Sequence, residues 1–236
     1  MKPSFGSFVL RGSTVIIGCL GLAWGIFVLP QSELADEFRD IEDRLLRFET
    51  FRPASFARTL ASQNSQELSA CDTHSQRALL LTEMSLAETA LRSGTVKEFD
   101  QHAKSLESRA TRVLSCQPRQ SFVWLLVFQL EVLKGVLSEH SFDLLAMSYE
   151  TSPNEAWISI RRNLVAMPLV LVAPEPTREK ILNEFQLLIR YRFLNVAARA
   201  YLGAPEAARS LLQTRIEQLD DSQQKAFSDA LQKFRA

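Results

Sequence analysis

A chain of 236 residues in which 27 Lys plus Arg balance 27 Asp plus Glu carries no net field that would gather nucleic acid or an anionic surface. Its eight glycines form no P-loop, dinucleotide fingerprint or G-x-S-x-G elbow, so phosphate cradling and elbow-type nucleophiles lack their motifs. His74, His102 and His140 stand too far apart for an H-x-x-x-H pair and no C-x-x-C occurs, so each histidine is expected at a surface or cap, and no catalytic, cofactor or metal residues are assigned.

The first element is an uncharged apolar run, Thr14 to Pro30, extended at little cost by Ser13 and Gln31. At 1.5 Å per residue this reaches the lower limit of a membrane span, about 17 residues, and predicts an anchor over 14–31 behind a cytoplasmic tail, 1–13. A cleaved signal peptide requires small residues after the run, and Gln31-Ser32-Glu33-Leu34-Ala35 offers no A-x-A pattern. Ile16-Ile17-Gly18-Cys19 resembles a lipobox, but apolar residues continue to Pro30, whereas a lipidated chain starts polar. Arg11 abuts the run on one side, while on the other Arg39 stands behind Glu33, Asp36 and Glu37; the positive-inside rule therefore places the tail in the cytoplasm and the remainder across the membrane. Gly21 and Gly25 form a G-x-x-x-G through which two such helices could pair.

Beyond the anchor, Leu34, Phe38, Ile41, Leu45 and Phe48 recur at spacings of four and three, a heptad stripe within an amphipathic juxtamembrane segment, 32–61. The stripe suits either a short parallel coiled coil joining two chains or a helix that covers the first repeat behind it. Pro53 should interrupt it, and the Ser, Gln and Asn-rich stretch 62–69 loosens the chain.

From 73 to 236 the rhythm is helical throughout. Thr73 with Gln76 reads as a capping box opening a helix whose face is Leu80, Met84, Ala87 and Leu91. Gly94 ends it, and Thr95 with Glu98 opens the next, whose face is Phe99, Ala103, Leu106, Ala110 and Val113. So short a turn makes the two helices antiparallel neighbours. It also brings Cys71 and Cys116, the two cysteines outside the anchor, to the same end of the hairpin, which in an oxidising compartment predicts a disulfide. A buried helix follows over Phe122 to Leu137, then another near Ser141 to Tyr149. Ser152-Pro153-Asn154-Glu155 reads as the cap of a helix that turns Trp157, Ile160 and Leu164 inward. A Pro-rich connector, 168–176, precedes the last helices: Ile181, Phe185 and Leu188; Phe193 to Leu202; Pro205 to Leu219; Asp221 to Phe234.

Pro118 and Pro153 lie 35 residues apart and Trp124 and Trp157 lie 33 apart, a period that resembles the tetratricopeptide repeat over Thr73 to Leu164. The family's Gly and Tyr after the Trp are replaced by Phe128 and Arg161, and by Glu131 and Leu164. The expected fold is therefore all-α, one transmembrane helix followed by an α-solenoid of antiparallel hairpins, and the resemblance implies a scaffold that binds a protein in a concave face. Similar anchored repeat proteins serve bacterial envelope machines for secretion, pili or polysaccharide, so the expectation is a non-catalytic periplasmic scaffold on the inner membrane with an envelope protein partner. The alternative is a glycan- or peptide-processing enzyme whose two carboxylates need no local spacing. Trp124 and Trp157 occupy packing positions, which leaves polar Gln129, Arg161 and Arg162 as candidate partner contacts, with Arg161-Arg162 and Arg190-Tyr191-Arg192 expected on solvated faces.

Overall fold

The computed structural model describes residues 13–25 and 68–235, and all regular structure among them is helical. The chain divides into two compact units, 1–81 and 82–236. In the first, helix α1 covers 13–25, and Leu68 packs on Ala78 and Leu79 at the start of α2 (Thr73–Ser93). The cap of α2 differs from the sequence reading. Thr73 already belongs to the helix, Asp72 accepts the Ser75 N–H at 3.4 Å, and Gln76 reaches back to the carbonyls of Leu68 and Ser69. The tail, residues 26–31 of the predicted anchor and the juxtamembrane segment 32–61, with Leu34, Phe38, Ile41, Leu45 and Phe48, lie outside the described residues.

The second unit continues α2 and adds α3 (Val96–Cys116), α4 (Ser121–Leu133), α5 (Glu139–Thr151), α6 (Ala156–Ala166), α7 (Glu175–Arg190), α8 (Leu194–Gly203), α9 (Arg209–Glu217) and α10 (Asp221–Arg235). Neighbours in sequence pack together, α4 on α5, α6 on α7 and α7 on α8. Each also touches the helix two places on: α4 meets α6, α5 meets α7, α6 meets α8, α7 meets α9 and α8 meets α10. That second set stacks hairpin on hairpin, and it makes the unit solenoid-like. The face of α3 is as the periodicity predicts, Phe99, Ala103, Leu106, Ala110 and Val113 all being buried. Aromatic pairs join successive layers, Phe122 with Trp157 at 5.2 Å between ring centres and Phe185 with Phe227 at 5.8 Å.

The reading of helix α6 is corrected. Helix α6 begins at Ala156, one turn later than Ser152-Pro153 suggests, with Glu155 at the cap and the Ser152 hydroxyl donating to Glu155 Oε1 at 2.7 Å. Its inward face is Ile158, Arg162 and Ala166, while Trp157, Ile160 and Leu164 are half-buried. A shift of one residue turns a helix by about 100°, and here it carries Arg162 from a solvated face into the core. In the Pro-rich connector Met167–Leu169 form a 3₁₀ turn, Val170 and Ala173 are buried, and Arg178 donates to the carbonyls of Val170, Leu171 and Ala173.

Among the described residues three helices end with a residue of positive φ whose successor's N–H reaches back five residues, the Schellman arrangement. For α2 and α4 that residue is Gly94 or Gly135. For α7 it is Arg192, at φ 66°, with the Phe193 N–H donating to Leu188 O at 2.8 Å. An L side chain there costs about 1–2 kcal/mol, partly offset by the greater chain entropy that glycine loses on folding. Arg192→Gly is therefore expected to raise the unfolding free energy by up to about 1 kcal/mol, measured by urea denaturation; a decrease would mean that the arginine side chain stabilises the turn.

Candidate functional site

The centre of the second unit is a buried polar node that joins four helices. Arg162 is 0% exposed; its Nε and Nη2 donate to Glu184 Oε1 at 3.0 and 2.5 Å, and the other carboxylate oxygen accepts from the Tyr149 hydroxyl at 3.2 Å. Nη1 of the same guanidinium donates to Ser148 O at 2.7 Å, and longer bonds reach Ser152 O. These carbonyls belong to the last turn and end of α5, where a cation also meets the negative end of the helix dipole. Ser121 of α4 donates to Ser148 O at 2.7 Å, and Arg162 lies over the Tyr149 ring at 4.0 Å. Burial pushes the Glu184 carboxyl above its ordinary range, opposed by Arg162 and by hydrogen bonds from Ser159 and Tyr149. Burial, together with the Glu184 charge, pushes the Tyr149 phenol well up, so it remains a donor.

Glu184 also forms the floor of a cleft of about 460 Å³. Pro153, Asn154, Ala156 and Ser159 form one wall, from the start of α6 and the turn before it, and Leu187, Leu188, Tyr191 and Phe193 form the other, from the end of α7. Tyr191 is 71% exposed and stands at the mouth. The floor is electrically spent, because Arg162, Tyr149 and Ser159 all engage the carboxylate. The cleft therefore offers apolar walls, a neutralised polar base and one aromatic ring free to meet a ligand.

Of the residues singled out from sequence, Gln129 and Arg161 meet at Glu88 of α2. Gln129 donates to Glu88 Oε1 at 2.7 Å, and burial raises the Glu88 carboxyl while Arg92, Arg161 and Gln129 draw it down. Both are half-buried. Arg162 is not beside them at the surface, since the polar node holds it. Cys71 and Cys116 form the expected disulfide. Gly21 and Gly25 lie in α1, with nothing within 4 Å of where a Cβ would stand. His102 Nδ1 lies 2.8 Å from Glu83 Oε2, and His140 is exposed. The residues that periodicity alone misses are Glu184, Tyr149 and Tyr191. A signal for Glu184 does exist: it falls three residues after Ile181 and four before Leu188, inside the apolar stripe of α7.

Among the described residues no group of three His, Cys, Asp or Glu could hold a metal ion. No known protein family, curated protein or solved structure matches the chain.

Proposed function

We propose that this protein is a membrane-anchored scaffold of a bacterial envelope, with a cytoplasmic tail and a periplasmic helical-repeat domain of tetratricopeptide type, that binds a partner protein of an assembly machine without chemically changing it. The observation that carries this reading is the cleft between α6 and α7, with apolar walls, an exposed tyrosine and a floor whose charge is already paired. Such a surface suits recognition, in which neutral apolar walls and a few fixed polar groups do the work. Glycoside hydrolysis by contrast uses two carboxylates about 5–9.5 Å apart, and the cleft is lined by one, Glu184. A carboxyl pushed upward in a cleft is the mark of many acid catalysts, which is the specific argument for the enzymatic alternative; the bond network around Glu184 favours a structural role for it.

The membrane assignment rests on sequence together with α1. Among the described residues no helix is long and apolar enough to cross a bilayer, and the end of the apolar run lies outside them. Within 13–25 no residue is charged; Val15 and Leu22 fall on one side of the helix and Ile17, Leu20 and Trp24 on the other, and all are exposed. A helix apolar on every side calls for an apolar surrounding, either a protein core or lipid. The disulfide supports an oxidising compartment such as the periplasm. Gln129 and Arg161 stay candidate partner contacts, and pairing through Gly21 and Gly25 stays the proposed route to a homodimer.

The test is to capture partners with the detergent-solubilised full chain from its own membranes, alongside an alkaline phosphatase fusion after Ala236. Recovery of an envelope protein in fixed ratio, with an active fusion, is the expected result. A silent fusion overturns the orientation, and a purified chain that hydrolyses an envelope glycan or peptide unaided overturns the scaffold.

A further inference from the structure

Helices that alternate in direction place the turns of a stack along two edges. In the second unit the turns α2–α3, α4–α5 and α6–α7 share one edge. Phe122 and Trp157, each the second residue of its helix, meet at 5.2 Å, so α4 and α6 start together, run parallel and end side by side. Leu133, at the end of α4, packs with Ala87, Ala90 and Phe99 on the two sides of the α2–α3 turn, which puts that turn at the same end. The three tips carry Leu91 and Val96, Val136 and Leu137, and Leu171 and Val172, six of the eleven large apolar side chains exposed outside α1 among the described residues. Val96, Val136 and Val172 are 68%, 53% and 64% exposed. On the opposite edge the first two turns, Gln117-Pro118-Arg119-Gln120 and Ser152-Pro153-Asn154-Glu155, carry none. Single surface hydrophobics are ordinary, but a row of them confined to one edge marks a surface that meets something apolar.

The backbone of these tips makes few demands on water. The N–H groups of Gly94, Thr95, Gly135, Val136, Val172 and Ala173 all donate within their own turns. Arg178 takes the carbonyls of Val170, Leu171 and Ala173, and Pro168 and Pro174 have no N–H to satisfy. A chain segment that leaves water for lipid requires this internal satisfaction. The nearby charges are of both signs and largely paired, Arg92 with Glu88, Lys134 with Glu107 and Arg178 with Glu175. The edge therefore presents a row of apolar tips with no single sign of charge.

We propose that this edge rests on a lipid bilayer, with its six apolar side chains in the boundary between headgroups and acyl chains. Loop tips set along an edge suit the plane of a membrane surface, whereas a peptide is held in a concave site. Lys97 and Glu98, both exposed next to Val96, confine the entry to that boundary. The inference rests on the membrane-anchor reading: once 14–31 is in the bilayer, contact at the edge is intramolecular, and weak insertion is enough to hold it. The start of α2 stands about 30 Å from its tip, a helix of 21 residues apart. The residues between Gln31 and Thr73 span about 60 Å even at 1.5 Å each, so the tether reaches. Apolar contact carries the interaction, so neutral lipid suffices. The cleft lined by the start of α6 and the end of α7 lies toward the opposite edge and so faces away from the membrane.

Spin-label depth measurements on the full chain in phosphatidylcholine vesicles test this. A nitroxide collides more with oxygen in lipid and more with a water-soluble nickel chelate in water. Single labels go on native Cys19, which reports the anchor, and, with Cys19→Ser, on Val136→Cys, Val172→Cys and, at the opposite edge, Asn154→Cys; Cys71 and Cys116 take none because they are joined. Labels at 19, 136 and 172 are expected to show the lipid signature, and the label at 154 that of water. Val96→Asp with Val136→Asp, at exposed positions where substitution leaves the fold intact, should return the label at 172 to water. Labels at 136 and 172 open to nickel while Cys19 is shielded overturn the edge assignment and leave the anchor. Labels there shielded from both reagents mean that a second copy of the chain covers the edge, which overturns the lipid contact. A label at 172 indifferent to the two aspartates overturns insertion of the tips as a row. A Cys19 label open to nickel overturns the anchor reading, and the edge assignment falls with it.

Discussion

Replacing Glu184 with leucine is expected to lower the unfolding free energy of the full chain by about 3–5 kcal/mol, the usual effect of removing one member of a buried ion pair. The guanidinium of Arg162 is 0% exposed, and without Glu184 it keeps its charge but loses its counter-ion. Arg162→Met removes the other member and should cost a similar amount at neutral pH, with a different pH dependence. Burial raises the Glu184 carboxyl from its ordinary value of 4.5, and Arg162 opposes that rise. A carboxyl raised in the folded state contributes stability that is complete below its unfolded value and is lost as pH climbs through its folded one. With Arg162 gone the rise is larger, so Arg162→Met should lie nearest wild type in acid and fall behind toward neutrality. The deficit of Glu184→Leu should not fade in acid. The double variant should recover most of either loss, because two apolar side chains replace the pair. Urea denaturation between acid and neutral pH checks all three; a Glu184→Leu protein as stable as wild type would mean that water reaches the node.

These expectations bear on how far the sequence could be read. Periodicity placed the core face of α3 because its five positions recur at strict spacing and the positions opposite them are polar. It placed Ile181, Phe185 and Leu188 of α7 for the same reason. It failed on α6, where Trp157, Ile160 and Leu164 compete with Ile158, Arg162 and Ala166 for the inside. A hydrophobicity rule ranks the first set higher. Tertiary context decides for the second, because the end of α5 needs a donor for the carbonyls of Ser148 and Ser152 and because Glu184 needs a cation. Partners 22 residues apart on different helices leave no mark in local spacing. The caps failed more mildly: Asp72 and Glu155 displaced Thr73 and Ser152 by one and three positions. The cleft was not legible at all, since it depends on a turn that the sequence signals with an arginine where glycine is usual.

Removing the disulfide should have an effect of comparable size through the unfolded state. The bond between Cys71 and Cys116 closes a loop of about 45 residues, and chain entropy for that length corresponds to about 4 kcal/mol. Cys71→Ser with Cys116→Ser, which leaves no free thiol at either position, is therefore expected to lower the unfolding free energy by up to about 4 kcal/mol. Within the loop, Asp72 and Gln76 already fasten the start of α2, and Glu83 accepts from Ser105 at 2.5 Å and pairs with His102, so the folded arrangement does not hang on the sulfur bond alone. Helicity at low temperature should consequently survive, while the denaturation midpoint falls. Both sulfur-bearing residues are exposed, so mild reduction of the wild-type chain should reproduce the midpoint of the double-serine protein without any substitution. Agreement between the reduced and serine proteins would assign the loss to the cross-link. A reduced protein that keeps the wild-type midpoint would instead place this pair among the cross-links that contribute nothing to stability, and the reason for an exposed disulfide at the foot of α2 would then be sought in oxidation state rather than in folding.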